Sequence, residues 1–495
     1  MKLNIVTLFC FFYELVFAQL SFYPSYNLSN TPGTMSDYHS VYSEPGGSYY
    51  VVWVDDGKIL FVRSTDLGQT WLEKQTLISS SNTCGSPVVK SDYNYVYVVC
   101  HQFAGDYEIL FISSTDFGQT WGPLQGISGM DSGSRDAQLA LSGSSIVVVW
   151  EQKTSPINNK SEINIVESSD RGFSWSSPLN LSSSQGLHSY GVQINNSGPK
   201  FYCSWLESSS LTESDIYFSR SSDNGSTWTI PVNITNNAGF QSEQYMTLNG
   251  NTELYIAYVD GITLSDIYLI KSTDGGEIWS VPINITSNPG KSDNPCISIF
   301  DDNIYFMWAD NSHTAPLYDS SDIFFKWSSD FGLTWLDSLN LSENSSNSLR
   351  PRICYDLNGP LPAPWLDVTI FWYDYVAGNS EIFAKRGNHT LVTAEIIPDL
   401  VNSFSLEQNY PNPFNPTTNI QFRISNFEFV NLRVYDSLGN EVATLVNEEK
   451  PAGTYEVVFD ANSHSGEVRN LTSGIYFYQL LAGDYFQTKK MVLIK

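Results

Sequence analysis

The chain has 495 residues, 41% of them hydrophobic and 14% aromatic, enough for a large buried core and too many for one ordinary domain. Acidic residues number 52 against 25 basic ones, and the resulting net charge of −27 repels phosphate backbones and anionic lipid head groups, which argues against nucleic acid as a partner. Six cysteines are too few for a disulfide-built scaffold of this length.

The opening stretch, MKLNIVTLFCFFYELVFAQL, places a lysine before an apolar run and the small residue Ala18 after it. That is the build of an export signal, so residues 1–18 are read as a signal peptide whose removal takes Cys10 with it. No later apolar run approaches the roughly 20 residues needed to cross a bilayer, and no transmembrane segment is expected in the mature chain.

From residue 20 to residue 390 one pattern recurs. RSTDLGQTW, SSTDFGQTW, SSDRGFSW, SSDNGSTW, KSTDGGEIW and SSDFGLTW place Asp66, Asp116, Asp170, Asp223, Asp274 and Asp330 at separations of 50, 54, 53, 51 and 56 residues. A period of that length points to a propeller or an array. Each box follows an alternating run such as KILFVRS or DIYLIKS, which reads as a half-buried strand. Upstream lies a second run ending in an aromatic and a polar residue (VVWVD, YIAYVD, YFMWAD), before it a third, and after the box a fourth (WTIPVNIT, WSVPINIT). Four strands per repeat make one antiparallel blade.

The repeats outnumber the boxes. RICYDLNG, VTIFWYD and SEIFAKRG (residues 352–387) supply three further strands without a fourth, while FYPSYNLSN near the start (residues 22–30) matches the fourth-strand segment SVPINITSN. Completing the last blade with the N-terminal strand would close the sheet edges, so the expectation is all-β, a seven-bladed propeller. A six-bladed ring is the alternative, and it leaves one repeat unexplained.

Within each box the glycine permits a positive φ and the aspartate accepts bonds from nearby backbone N–H groups, so the box is read as a turn and its tryptophan as a wedge between blades. These residues resemble the Asp-box, or BNR repeat, of the sialidase superfamily and its β-propeller relatives. The resemblance implies boxes on the blade periphery, away from the ligand face. It further implies that an active member would bind a sugar carboxylate with three arginines, attack with a Tyr–Glu pair and protonate with an Asp. Positions that match in kind are Arg135, Arg350 and Arg352 for the arginines, Glu243 with Tyr245 for the nucleophile, and Asp37 for the acid. The arginines occupy only two blades, and HSVYSEPGG stands where the family has an Arg-Ile-Pro element.

Loops between second and third strands vary in length, from VDDGK to ADNSHTAPLYDSSD, and loops that vary on a constant frame usually carry binding. At the rim of that face the second strands end in Asp55, Gln102, Gln152, Glu207, Asp260, Asp310 and Asp374. From these and the adjoining loops, His101, Glu207, Asp260, Asp310, His313, Tyr318, Asp374 and Tyr375 are the candidate ligand-facing residues. Capping of each hairpin turn is the plainer role for the carboxylates. No cofactor or metal is expected; a structural calcium ion is compatible with the residues, though none of them indicates it. Cys84 and Cys100 flank a predicted hairpin while Cys296 and Cys354 fall at matching places in successive repeats; disulfides and buried thiols both fit.

After a connector over residues 391–402 the pattern changes, and residues 403–495 read as short strands separated by Gly, Asn and Pro turns, a small Ig-like β-sandwich. YPNPFNP (410–416), VYDSLG (434–439), GIYFY (474–478) and the terminal KKMVLIK resemble the type A C-terminal sorting domain of the type IX secretion system. That resemblance implies passage through the periplasm to an outer-membrane translocon, which is the partner of the tail, and a final place outside the cell. For the propeller the expected task is binding of an extracellular glycan or protein; a secreted glycoside hydrolase or lyase is the alternative.

Overall fold

A computed structural model describes residues 20–390 and 405–495 apart from short segments at 80–81, 130–132, 155–159, 185, 211, 237–238, 313–319, 345, 359–364, 377–378, 407, 425–427, 451–452, 463–470 and 483–484. The proposed signal peptide and the whole of the connector lie outside the described residues. The chain divides into two compact units between residues 392 and 393.

Residues 36–78, 83–126, 134–180, 188–233, 241–284 and 292–340 each form a four-stranded antiparallel sheet with the strands in chain order. The seventh sheet takes Ser348–Asn358, Trp365–Val376 and Asn379–Thr390 from the end of the repeat region and Leu20–Phe22 and Tyr26–Asn27 from its start. Leu20 pairs with His389, Phe22 with Gly387, Tyr26 with Ala384 and Asn27 with Phe383. The N-terminal strand thus fills the outer edge of the last blade, and the ring has seven blades.

The reason the ring must close is visible in the second strands. Tyr49 to Val54 are all buried, as are Ile146 to Gln152 and Phe201 to Glu207, so both faces of each blade are covered. A sheet apolar on both faces needs a neighbour on each side. The buried side chains accordingly gather between consecutive blades, for example Val52 and Phe61 of the first with Val89 and Val98 of the second. The last such layer joins Phe371, Tyr373 and Ile382 of blade seven to Tyr49, Val51 and Trp53 of blade one.

The boxes build both the turn and the wedge. In the second box Ser114 Oγ donates to Asp116 Oδ1 at 2.8 Å, the Thr120 amide donates to the same oxygen at 2.8 Å, and the Gly118 amide donates to Ser114 Oγ at 2.9 Å. Trp121 packs edge-on against Phe61 of the preceding blade at 5.1 Å, Trp175 against Phe111 at 5.0 Å and Trp279 against Phe218 at 5.3 Å. Trp71 meets Phe371 of blade seven at 6.0 Å, and its indole donates to Tyr26 Oη at 3.1 Å. One box therefore locks the closing strand.

In the second unit, a sheet of Ser405–Leu406, Thr417–Ile424 and Gly453–Asp460 and a sheet of Glu441–Lys450, Glu428–Tyr435, Gly474–Ala482 and Tyr485–Leu493 share one core that includes Phe422, Leu432, Phe459, Tyr478 and Met491. This is the expected small sandwich.

Two outcomes follow for stability. A Cβ on Gly118, whose φ is +79°, would stand 2.6 Å from Phe61, so Gly118→Ala should lower the unfolding free energy by about 1–3 kcal/mol in denaturant melts. Asp170 is held at about 2 by hydrogen bonds from Ser174 and Ser168; in Asp116, also at about 2, burial opposes the shift and the bonds from Thr120 and Ser114 outweigh it. Depressed carboxylates stabilise the fold above the ordinary Asp range near ~4 and lose that contribution as pH falls through the folded value. Melts followed by circular dichroism between pH 4 and 2 should therefore fall more steeply for the native chain than for an Asp116→Asn/Asp170→Asn variant.

Candidate functional site

Every first strand, the innermost of its blade, breaks register with the second at the same place: between Asp37 and Ser40, Gly85 and Val88, Arg135 and Gln138, Tyr190 and Gln193, Ser242 and Tyr245, Asp293 and Cys296, and Leu349 and Arg352. One residue in each bulge takes a left-handed backbone: Tyr38 (φ 49°), Ser86 (45°), Asp136 (52°), Gly191 (62°), Glu243 (47°), Asn294 (51°) and Arg350 (55°). Only one of them is glycine. Six side chains are thus held in a conformation L-residues rarely adopt, and bulges of this kind re-aim side chains near functional sites.

The seven bulges surround the mouth of the ring's central channel and are tied to one another. Arg350 lies over the Tyr38 ring at 4.3 Å and its amide donates to Asn294 Oδ1 at 3.1 Å. Asn294 in turn donates to Glu243 Oε2 from its amide at 2.6 Å and its side chain at 2.8 Å. Gln244 Nε2 donates to Gly191 O at 2.9 Å, and the Gly191 amide donates to Glu151 Oε1 at 2.7 Å. Ser86 Oγ donates to Asp136 Oδ1 at 2.6 Å, and the Asp136 amide donates to His101 Nδ1 at 3.3 Å. The belt is polar all the way round, and its members come from different blades.

A cavity of about 790 Å³ opens at this mouth, bordered by Asp37, Arg135, Glu243, Arg350, His101 and Glu151 among others. It adjoins a channel of about 470 Å³ that Tyr245, Arg350 and Arg352 also border. All of Asp37, Arg135, Glu243, Tyr245, Arg350 and Arg352 are therefore gathered at the axis. Their partners differ from what the sialidase resemblance implies. Arg135 Nε donates to Glu151 Oε2 at 3.3 Å, Arg352 donates to Pro351 O at 2.8 Å and lies over Tyr245 at 5.2 Å, and Asp37 accepts the Ser380 hydroxyl at 2.8 Å. Glu243 is engaged by Asn294, and burial followed by the nearby Cys296 pushes the Tyr245 phenol up.

Two groups at the mouth have shifted titrations. Burial and then Asp136 raise Glu151 to about 7, against the pull of the Gly191 amide and Arg135. Burial lowers His101 despite Asp136, and its Nδ1 acts as acceptor, which places the proton of the neutral ring on Nε2.

Among the rim carboxylates, Glu207, Asp310 and Asp374 are buried, and Asp310 accepts the Ser312 amide at 2.9 Å, which caps the turn after its strand. The Trp205 indole donates to Glu207 at 2.9 Å and the Trp308 indole to Asp310 at 2.9 Å; Asp310 also accepts Ser292 Oγ at 2.6 Å and Asn288 Nδ2 at 2.7 Å. Asp374 accepts Ser348 Oγ at 3.0 Å, together with Ser346 and Asn344. Asp310 and Asp374 thus fasten their own tryptophan, their first strand and the incoming connection, while Glu207 holds its tryptophan. Asp260 is half-buried opposite Gln241, Tyr375 is exposed beside Tyr373, and His313 and Tyr318 lie outside the described residues. Of this set His101 alone borders the mouth cavity among the described residues. The five cysteines of the propeller are buried and form no disulfide.

Tyr38, Ser86, Asp136 and Asn294 were not singled out by sequence reasoning. Their signal is positional: each is the third or fourth residue of its first strand, and in three blades a proline follows the bulge residue (Pro87, Pro295, Pro351), as bulges allow.

Residues 408–495 match the family described as the secretion system C-terminal sorting domain. The tail therefore assigns the chain to type IX secretion, with a destination at the cell surface or outside the cell. No curated protein matches the chain in sequence. Among solved structures, it is similar to a polysaccharide lyase of family PL25, an ulvan lyase, at 12% identity over 70% of this chain and 93% of that one, with a TM-score of 0.49. It is also similar to the α-L-arabinofuranosidase Arb93A of Fusarium graminearum (14% identity, 59% and 92% covered, TM-score 0.40) and to a protein of unknown function from Dyadobacter fermentans (14%, 75% and 99%, 0.44).

A raised carboxyl binds more protons folded than unfolded, so Glu151 makes stability fall as pH rises from its ordinary range near ~4.3 towards 7. Glu151→Gln should flatten that part of the stability profile, and carboxyl-carbon NMR of the native chain should show one glutamate titrating near neutrality.

Proposed function

We propose that the propeller binds saccharide chains outside the cell in the mouth of its channel, and that it does so without sialidase-type catalysis. The observation that carries this reading is the belt of bulge residues. It presents hydroxyl, amide, carboxylate, guanidinium and aromatic groups, drawn from seven blades, on a frame fixed by sheet packing. Tyr38 and Tyr107 stay 42% and 37% exposed at the opening, as rings that stack on sugars must be. Against sialidase chemistry stand the occupied Glu243 carboxylate, the raised Tyr245 phenol and the three arginines directed to separate partners.

A glycan-cleaving propeller is the second reading, and Glu151 is what favours it, because a carboxyl titrating near 7 suits proton transfer at neutral pH. A panel of neutral and acidic polysaccharides separates the two. Binding by the native chain should weaken at least ~10-fold in Tyr38→Ala and Glu243→Ala, with no new reducing ends or unsaturated products. Turnover that Glu151→Gln abolishes would replace the first reading with the second, and binding that both mouth variants retain would remove the mouth from the account.

A further inference from the structure

Below the mouth, this acidic chain gathers positive charge. Lys90, Arg350 and Arg352 border the same axial channel, and among the described residues none of them forms an ion pair. Each rests instead on a tyrosine ring: Lys90 Nζ is 4.9 Å from the Tyr42 centroid, and Arg350 and Arg352 lie at 4.3 and 5.2 Å over Tyr38 and Tyr245. A ring face attenuates a cation without neutralising it.

Carboxylates on the innermost strands are already engaged. Asp136, at the channel's edge, accepts the Ser86 hydroxyl and stands 3.8 Å from Arg135. Farther down, Asp92 holds Arg171 at 2.8 Å, Asp356 accepts the Gly46 amide at 2.9 Å and Glu44 accepts the Ser91 hydroxyl. Burial draws the Lys90 ammonium down to about 8, which leaves it protonated at neutral pH.

A second observation is independent of these charges. His39 borders the same channel, is 6% exposed, and neither ring nitrogen makes a hydrogen bond of normal geometry to any described residue. Burial, then the charges of Arg352 and Arg350, lower it to about 3 against a weaker backbone hydrogen bond to Phe371, so the ring is neutral. A nearly buried imidazole without a hydrogen bond of normal geometry, beside cations without counter-charges, describes a site whose missing component is an anion.

We infer that the axial channel binds a small oxyanion of the phosphate or sulfate kind through Lys90, Arg352 and His39. The site lies deeper than the saccharide contacts proposed at the mouth and stands without them. The oxyanion has two sources, a free ion or an ester group on a saccharide entering from the mouth.

The test uses the mature full chain in chloride buffer of fixed ionic strength, titrated with inorganic phosphate and followed by calorimetry and thermal melts. Phosphate should bind and raise the Tm by about 2–4 °C at saturation. Lys90→Met and Arg352→Gln should each weaken binding at least ~10-fold and abolish the shift, while Arg220→Gln, outside the channel, retains both. Without phosphate, Lys90→Met should melt at or above the native temperature, since it removes an uncompensated charge; if it fails to fold, Arg352→Gln carries the test. Should phosphate not bind, a sulfated polysaccharide whose affinity falls at least ~10-fold in Arg352→Gln, with a neutral one unaffected, assigns the ester source. No binding of either, or an equal phosphate shift in the channel variants, overturns the site. Tyr38→Ala and Glu243→Ala report on the mouth separately.

Discussion

The structure depends on blades that are apolar on both faces. A sheet whose second strand reads Tyr49-to-Val54 without a polar break has no solvent side, so it is stable only between two others, and the arrangement that satisfies every member is a closed ring. The core is consequently a set of layers between blades, each made by two neighbours. The repeated aspartate-glycine-tryptophan turns serve this packing twice: the turn lets third and fourth strands meet, and the tryptophan seals the layer to the preceding blade.

Once the ring is fixed, the axis becomes the natural place for chemistry. Innermost strands converge there, and the shared bulge holds one residue per blade, six of the seven with a side chain, in a strained backbone beside the opening. Sheet packing elsewhere holds that strain, which lets residues as unlike as Tyr38, Asp136, Asn294 and Arg350 occupy equivalent positions. Below them the environment changes from mixed polarity to cations resting on tyrosines. Two adjoining compartments of different chemistry thus lie along one axis.

Much of this was legible in the sequence, and the exceptions are instructive. Repeat spacing, strand alternation and the match of residues 22–30 to a fourth strand led to seven blades and to closure by the N-terminal strand, because those patterns express local periodicity and burial. The sorting tail was legible from its motifs. At the rim, Asp310 and Asp374 each clasp a tryptophan and a serine inside their own blade and Glu207 clasps a tryptophan, and recurrence of a polar residue speaks for a repeated structural role. Five of the seven bulge residues, Tyr38, Ser86, Asp136, Gly191 and Asn294, were missed for the opposite reason, since the belt shares a backbone geometry and no side-chain pattern. Asp37, Arg135, Glu243, Tyr245, Arg350 and Arg352 were found through resemblance to a family whose partner geometry this chain does not reproduce.

The pairing of Leu20 with His389 brings together residues from opposite ends of the repeat region. Loop entropy makes such a contact slow to form, so it follows the local hairpins in time. Until then the first and seventh blades each present a bare apolar wall, and the unfinished molecule is a sticky crescent, vulnerable to self-association during its passage out of the cell. The few residues of the closing strand therefore govern how long the chain remains hazardous to itself, quite apart from what they add to the finished ring.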